Sequence, residues 1–417
     1  MSWGKYPPVY ETTKQLAMMR QGLIPVRLGL IGTSLEAGTS GNRWFSYLYA
    51  QLQGSGYIVQ ETKIAGTGGA VLDAIGTTQL DSVLDAGCNL VIIGGPVNDY
   101  AATADSTATA KSTAITILGK IIAIWETCLA RGVVPVQLAG SATDSAHYKG
   151  VLHLNRLMRR AADRMGVPFV DGCYTVSVDA PDGAAFTGFT TDGTHFDREA
   201  CPVYAKVVGD FLNGINPYSI YLNHGVHDYD NEFSSLSIIN THAFVDSGGS
   251  ASTTNTTLGN SGTVLTYSTS AADGVVAKGF WVNMARISTG NTDCYATSPG
   301  NLVQAGDEIL SIMRVKMADM SGSRSSFTIR TQHTAFNASL DEPSSLCEID
   351  FADPGFIAVN LHPVDNANGT VRVSAKSNDY GSGTSDGTIS IAMVAAINLT
   401  AIDRDLDDAG FNLPAIA

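Results

Sequence analysis

Between Val26 and Leu212 the sequence alternates five times between a short β-rich run and a stretch with helical periodicity. The β-rich runs are residues 26–31, 57–64, 90–93, 133–138 and 168–171. Strands that alternate with helices predict a parallel sheet, and right-handed crossovers place helices on both of its faces. The predicted fold class is a doubly wound, three-layer α/β/α domain, whose site lies at the carboxyl ends of the strands.

After Asn213 helical periodicity disappears, and Ser, Thr, Gly and Asn separate short alternating runs. These runs are Gly279–Met284, Ile309–Lys316, Ser326–Thr331, Gly355–Leu361 and Thr388–Ala396. Such a texture predicts an all-β, jelly-roll-like sandwich. We therefore predict four segments: an N-terminal arm or linker in 1–22, the α/β domain in 23–214, a linker in 215–231, and a β-sandwich for glycan binding or oligomerisation in 232–417.

Charge and cysteine content limit the partners. The 417 residues include 25 Lys and Arg against 39 Asp and Glu, and a net charge of −14 opposes binding to nucleic acid or anionic lipid. No run of 18 apolar residues predicts a membrane span, and residues 1–14 do not resemble a signal peptide. Six scattered cysteines predict free thiols made in a reducing compartment, with a Cys294–Cys347 disulfide as the alternative.

Ser34 follows the first β-rich run in Gly32-Thr33-Ser34-Leu35, at the turn where the next helix begins. The N–H groups at a helix N-terminus favour a developing negative charge, so a serine there could act as a nucleophile. A serine in such a turn also serves as an ordinary helix N-cap. The turn alone leaves both interpretations open.

Two further loops at the same edge carry groups that could bind an oxyanion. After the second run, the glycines at 66, 68 and 69 let backbone N–H groups approach a ligand, but their spacing does not fit the dinucleotide-binding G-x-G-x-x-G. After the third run, Asn98 offers a side-chain N–H and Asp99 can brace the loop. An ordinary Asx turn is the alternative for this loop.

A serine nucleophile needs a histidine held by a carboxylate, and two D-x-x-H sequences offer one. Asp192 and His195 follow the fifth run and precede the last helix of the α/β region. Asp144 and His147 follow the fourth run, one unit earlier. We favour Asp192 and His195, and the second pair could line the pocket.

These motifs, in this order and each after a strand, resemble the SGNH/GDSL hydrolases over residues 25–213. The resemblance implies a flavodoxin-like α/β/α sheet and esterase or deacylase activity without a cofactor or metal. Three positions depart from the family pattern. Thr33 stands where aspartate is usual, Ile64 stands where an asparagine often precedes the glycines, and two residues instead of one separate Gly95 from Asn98.

Carried over residue by residue, the resemblance implies that Ser34 attacks an ester carbonyl. His195 would act as general base and then general acid, and Asp192 would hold the imidazolium. The oxyanion would be bound by the backbone N–H groups of Ser34 and Gly69 with the Asn98 amide, and Gly68 is the alternative to Gly69.

The polar cluster between His224 and Glu232 has oxygen and imidazole groups that could hold a calcium ion or another metal. A solvated linker is the interpretation we favour for this cluster. The implied ester chemistry requires no metal.

The predicted substrate is a small acyl group on a large hydrophilic carrier. No apolar insertion long enough for a lid separates the α/β rounds, and a β-rich domain attached to an esterase commonly holds a glycan. One histidine with one adjacent aspartate suits acyl transfer and provides no opposed carboxylate pair for glycoside cleavage. We therefore predict a serine O-acetylesterase that acts on an acetylated bacterial surface polysaccharide.

Two biological contexts fit this prediction. A bacteriophage tail spike or fibre in the virion, which we favour, would need no secretion signal, would keep free thiols and would form homo-oligomers, trimeric in a tail protein. A secreted, extracellular carbohydrate esterase with a binding module is the alternative. The second alternative is a non-catalytic glycan-binding structural protein on the same fold.

Overall fold

The structure is a computed structural model of the 417-residue chain. The chain forms two compact units. The first consists of residues 1–220 with residues 404–417, and the second consists of residues 221–403. The structure describes residues 9–38, 43–100, 107–141, 148–171, 173, 189–190, 192–214, 257–261, 264–271, 280–287, 292–297, 303–321, 325–333, 356–363, 371–379, 386–411 and 413–414.

A five-stranded parallel sheet forms the centre of the first unit. Its strands are β1 (Val26–Ile31), β2 (Val59–Ile64), β3 (Leu90–Ile93), β4 (Val134–Leu138) and β5 (Phe169–Val170). The strand order β2-β1-β3-β4-β5 is that of a flavodoxin-like sheet and confirms the predicted doubly wound domain. Because β1 lies between β2 and β3, Leu30 pairs with Ile64 on one side and Ile92 on the other.

Helices alternate with these strands. They are α1 (Val9–Arg20), α2 (Ser34–Ala37), α3 (Trp44–Gly54), α4 (Leu72–Ala74), α5 (Leu80–Asp85), α6 (Val97–Tyr100), α7 (Thr107–Ala130), α8 (Tyr148–Met165) and α9 (Ala200–Leu212). A π-helical turn, Ile75–Gln79, joins α4 to α5. The four-residue strand β3 and all five residues of β4 are buried, as expected for strands covered on both faces.

The long helix α7 packs on the sheet. Leu118, Ile121 and Trp125 are buried, and the Trp125 indole N–H donates a hydrogen bond of 3.1 Å to Gln137 Oε1 on β4. By length and hydropathy the segment Lys111–Ala130 could cross a membrane, but half of it is buried in the protein. A core helix meets the same criteria, so this segment is weak support for a membrane span.

The two ends of the chain also pack in the first unit. Thr12 on α1 donates a hydrogen bond to the carbonyl of Gly166, at the end of α8. Arg164 on α8 binds the C-terminal segment: its Nε and Nη2 donate to the carbonyls of Pro414 and Leu413. The sequence analysis placed residues 404–417 in the predicted β-sandwich and did not predict that they pack with the α/β domain.

Antiparallel strands form the second unit. They are β6 (Thr257–Ser261), β7 (Val264–Ala271), β8 (Phe280–Ile287), β9 (Thr292–Thr297), β10 (Glu308–Ser321), β11 (Ser325–His333), β12 (Phe356–Pro363), β13 (Val371–Asp379) and β14 (Asp386–Asn398), followed by the helix α10 (Leu399–Asp408). One sheet has the order β12-β10-β14-β8-β7 and the other has the order β11-β13-β9-β6. The five alternating runs found in the sequence overlap β8, β10, β11, β12 and β14.

Four cysteines, Cys88, Cys128, Cys173 and Cys201, are buried free thiols, as predicted. Cys347 lies outside the described residues, so its pairing with Cys294 stays a prediction.

Candidate active site

The turn after β1 presents Ser34 at the carboxyl edge of the sheet. Thr33 is the N-cap of α2: its hydroxyl accepts a hydrogen bond of 3.4 Å from the Leu35 N–H, and Glu36 completes a capping box. Ser34 is therefore the first helical residue and not the N-cap. Its side chain is left for other contacts, and the backbone N–H groups of this first turn are directed out of the helix.

His195 connects Ser34 to Asp192. The Ser34 hydroxyl lies 2.9 Å from Nε2 of His195, and Nδ1 of His195 lies 2.7 Å from Oδ2 of Asp192. The other carboxylate oxygen accepts the backbone N–H groups of Thr194 and His195 at 3.0 and 2.8 Å. These side chains come from segments 161 residues apart in the sequence, and the fold brings them into one hydrogen-bonded series.

The protonation of this series follows from the aspartate. Hydrogen bonds from the backbone and ring of His195, and from the Thr194 backbone, lower the pKa of Asp192 to about 2, so its carboxylate is ionised at neutral pH. An ionised carboxylate only accepts hydrogen bonds, so Nδ1 of His195 carries a proton. In the neutral imidazole Nε2 is then the acceptor, and the Ser34 hydroxyl donates to it. This is the arrangement that a general base requires.

Aromatic packing fixes the segment that carries His195. Phe196 is 3% exposed, and its ring contacts Phe189 edge-to-face with centroids 5.5 Å apart and Tyr204 on α9 at 4.5 Å. Thr190 and Phe196 form an antiparallel bridge across the loop. The sequence interpretation did not include these residues; the aromatic residue directly after His195 was the available signal.

The other two loops meet each other at the same edge. Gly69 is exposed and has a φ of 73°, a conformation that favours glycine. The Asn98 side-chain amide donates a hydrogen bond of 2.8 Å to the Ala70 carbonyl. Asp99 accepts the Leu72 N–H at 3.0 Å, so it braces the loop after β2, whereas the sequence predicted that it braces its own loop. An amide has two N–H donors, and the bond to Ala70 leaves one of them for a ligand.

Gln79 is a site residue that sequence reasoning missed. It lies in the π-helical turn, is 4% exposed, and binds both backbone groups of Gly32: Oε1 accepts the N–H at 2.8 Å and Nε2 donates to the carbonyl at 2.9 Å. It thereby holds the residue two positions before Ser34. The only sequence signal for this role was a glutamine within a helical stretch whose neighbouring residues repeat as apolar side chains.

Several predicted residues lie outside the described part of the chain. They are Asp144 and His147, and the cluster from His224 to Glu232. The role of the first pair and the status of the cluster stay predictions. Among the described residues there is no group of three or more His, Cys, Asp or Glu side chains placed to hold a metal ion.

A serine, a histidine and an aspartate in hydrogen-bonded series, at the carboxyl edge of a parallel α/β sheet, are the components of a serine hydrolase. Residues 30–200 match the model of the GDSL-like Lipase/Acylhydrolase family. The α/β domain is similar to this family over these residues, and the protein is a carboxylic ester hydrolase. No curated protein matches the chain in sequence.

Several solved structures are similar to the chain. A putative lipolytic protein of the G-D-S-L family from Desulfitobacterium hafniense DCB-2 is 16% identical over 45% of this chain and 99% of its own, with a TM-score of 0.38. A putative acylhydrolase from Bacteroides fragilis NCTC 9343 is 19% identical over 51% and 99%, with a TM-score of 0.36. A two-domain esterase active on acetylated mannans is 13% identical over 94% and 95%, with a TM-score of 0.35.

Proposed function

We propose that this ester hydrolase uses Ser34 as its nucleophile and removes O-acetyl groups from a bacterial surface polysaccharide. The observation that carries the proposal is the hydrogen-bonded series from Ser34 through His195 to Asp192. Ser34 Oγ attacks the acetyl carbonyl while Nε2 of His195 takes its proton, and the carbonyl oxygen becomes an oxyanion.

The remaining steps return every group to its starting state. The carbon–oxygen bond to the sugar breaks, and His195 gives its proton to the leaving alkoxide. Water then attacks the acetyl-Ser34 ester with His195 again as base, and His195 returns this proton to Ser34 Oγ as acetate leaves. Asp192 stays ionised and stabilises the imidazolium in both halves. The Ser34 and Gly69 N–H groups with the Asn98 amide would bind the oxyanion, a contribution worth about 10²–10³ in kcat for each donor.

The chemistry of the site supports an ester as the substrate. Cleavage of a glycosidic bond uses two carboxyl groups on opposite sides of that bond. The carboxylate of Asp192 already accepts three hydrogen bonds from its own loop. The sequence has no long apolar insertion between the α/β rounds, and this favours a small acyl group over a fatty acid.

The second unit supports a large hydrophilic carrier. We infer that its two antiparallel sheets pack as a jelly-roll-like sandwich that holds a glycan or joins copies of the chain. In a homo-oligomer, trimeric in a tail protein, repeated sites would compensate for weak contacts with single sugars. A bacteriophage tail spike in the virion fits this organisation and the four free thiols.

The test is acetate release from a panel of O-acetylated bacterial polysaccharides. Wild type should release acetate while the size-exclusion profile of the polymer stays unchanged, and a fluorophosphonate probe should label Ser34. Ser34→Ala should lose at least about 10³-fold in kcat and all labelling, with unfolding free energy within about 1 kcal/mol. Ser112→Ala, which changes an exposed serine on α7, is the matched control and should behave as wild type.

Three outcomes would contradict the proposal. An active Ser34→Ala variant would remove the nucleophile assignment. Shortened polymer that keeps its acetyl groups, seen by NMR, would instead identify a glycosidase or lyase. A folded wild type without labelling or acetate release would support the non-catalytic alternative.

A further inference from the structure

A buried carboxyl group lies beside Ser34 and has no part in the mechanism above. Glu36 is two residues after Ser34 and is 3% exposed. Its Oε2 accepts the N–H of Thr33 at 2.8 Å and the Thr33 hydroxyl at 3.2 Å. Oε1 is buried and has no hydrogen-bond partner among the described residues. Such a half-satisfied buried carboxyl group destabilises a fold, so its presence calls for a reason beyond packing.

Three glycines make the space for this side chain. A Cβ atom added to Gly32 or Gly94 would overlap the Glu36 carboxyl group, and one added to Gly66 would come within 2.9 Å of Glu36 Cβ. Real Cβ atoms essentially never make contacts under 3.0 Å. The Glu36 side chain therefore fills the room left by three missing side chains.

These glycines come from three adjacent strands. Gly32 follows β1, Gly66 follows β2 and Gly94 follows β3, and β1 lies between the other two. Each glycine begins the loop that carries one of the three oxyanion groups named above. One side chain thus contacts all three loops.

We propose that Glu36 is a positioning residue of the ester hydrolase site: its side chain packs between the glycines at the start of the loops after β1, β2 and β3, and so holds these loops with their donors converging on one oxyanion. The inference rests on the proposed roles of Ser34, Gly69 and Asn98. It goes beyond them because Glu36 touches neither substrate nor reacting atoms in this mechanism.

The charge state of Glu36 affects how well the oxyanion donors can stabilise negative charge. Burial raises its pKa to about 7, so the group is neutral below that pH and becomes a carboxylate above it. Two other titratable groups, Cys173 and Tyr204, interact electrostatically with Glu36. Burial raises the pKa values of both, so they stay neutral at neutral pH. The buried Asp171 also interacts electrostatically with Cys173. His195 is bonded to the same turn through Ser34. A carboxylate formed here opposes the negative charge that develops on the oxyanion.

The experiment uses the full chain with p-nitrophenyl acetate as substrate. Glu36→Ala should lower kcat about 100-fold while KM stays within about threefold, because the donors act on the transition state and not on ester binding. Thr12→Val is the control: it removes another buried hydrogen bond of the first unit, at the end of α8, and should keep the kcat of wild type.

Glu36→Gln keeps the shape of the side chain and an oxygen that accepts from Thr33. It should keep kcat within about threefold at pH 6. The ratio of its kcat to that of wild type should rise as the pH increases from about 6 to 8.5, because only wild type gains the buried charge. Taking this ratio removes the pH effects that both proteins share.

A wild-type kcat in folded Glu36→Ala would overturn the inference. If that variant does not fold, a ratio of Glu36→Gln to wild type that does not change with pH would overturn it. Ser34→Ala, measured in parallel, separates the two proposals: an active Ser34→Ala variant contradicts the proposed function, whereas an inactive one with normal Glu36 variants contradicts only this inference.

Discussion

Two carboxyl groups belong to the surroundings of Ser34, Asp192 through its bond to His195 and Glu36 in the same helical turn, and their pKa values are shifted in opposite directions. Asp192 is half exposed and accepts three hydrogen bonds, which lower its pKa to about 2. Glu36 is buried with one unpartnered oxygen, and burial raises its pKa to about 7. Two carboxyl groups whose pKa values differ in this way can have different roles in one site. Here Asp192 is ionised at neutral pH and hydrogen-bonded to His195, whereas Glu36 is neutral through most of the acidic range.

The raised pKa of Glu36 predicts a pH dependence of stability. The folded state binds the proton more tightly than the unfolded chain, where the pKa is about 4.5. The resulting stabilisation is complete below pH 4.5 and is lost as the pH rises through 7, a change of the order of 3 kcal/mol. Glu36→Gln should remove this contribution.

Chemical denaturation at several pH values between about 5 and 8 measures this effect. The unfolding free energy of wild type should fall with pH relative to that of Glu36→Gln. Asp163→Asn, which changes an exposed carboxylate on α8, should follow wild type. Parallel curves for wild type and Glu36→Gln would show that Glu36 is ionised in the folded protein throughout this range.

Sequence reasoning found the residues that form the hydrogen-bonded series of the candidate site. Ser34 at the end of the first strand and the D-x-x-H at 192–195 could be identified, because each motif is local. The pattern Thr33-x-x-Glu36 indicates a capping box and was equally local. The contacts of Glu36 with Gly66 and Gly94 were not predictable, since they depend on how three loops pack.

At the scale of elements, short segments of the site depend on their neighbours. The four-residue helix α2 is far below the length at which a helix is stable by itself, so its cap and its packing determine it. The helical stretch predicted after the second β-rich run is present and includes α5. The π-helical turn that precedes α5 was not predicted, because Gln79 pairs with a backbone group 47 residues away.

The segment that carries His195 offers a test at this scale. Phe196→Ala should lower stability by about 3–5 kcal/mol and should also lower kcat, up to about 100-fold, because His195 loses the packing that aims it at Ser34. Phe45→Ala is the control, since Phe45 is 6% exposed and packs on Trp44 in α3. Equal effects of both substitutions on kcat of the folded protein would contradict the aiming role.

At the scale of the whole molecule, the C-terminal segment is part of the first unit. Besides the two carbonyls it binds, Arg164 pairs with Asp407 at 2.9 Å, and Leu406 and Leu413 are buried. Arg164 and Pro414 are 250 residues apart in the sequence. The five strand–helix rounds were predictable because each is a local pattern. The packing of the C-terminal segment on Arg164 was not predictable, because no local pattern indicates a contact between residues 250 apart in the sequence.

Deletion of residues 404–417 should destabilise the first unit. The Arg164 side chain is 6% exposed, and the deletion removes the carboxylate of Asp407 and the two carbonyls that this buried charge binds, at a cost of up to about 3–5 kcal/mol. Calorimetry should show a lower Tm for this unit, by the order of 10 °C. Lys206→Ala removes an exposed ion pair on α9 and should change Tm little. An unchanged Tm after the deletion would contradict this role of the segment.

Because the chain leaves the first unit after residue 220 and rejoins it at residue 404, the second unit is an insert with two covalent junctions. A different second domain would therefore be introduced by replacing residues 221–403 as a cassette, with both ends of the recipient retained. A simple fusion after residue 220 would omit the segment that binds Arg164. Genetic exchange of the second unit likewise needs two crossover points, one on each side of the insert.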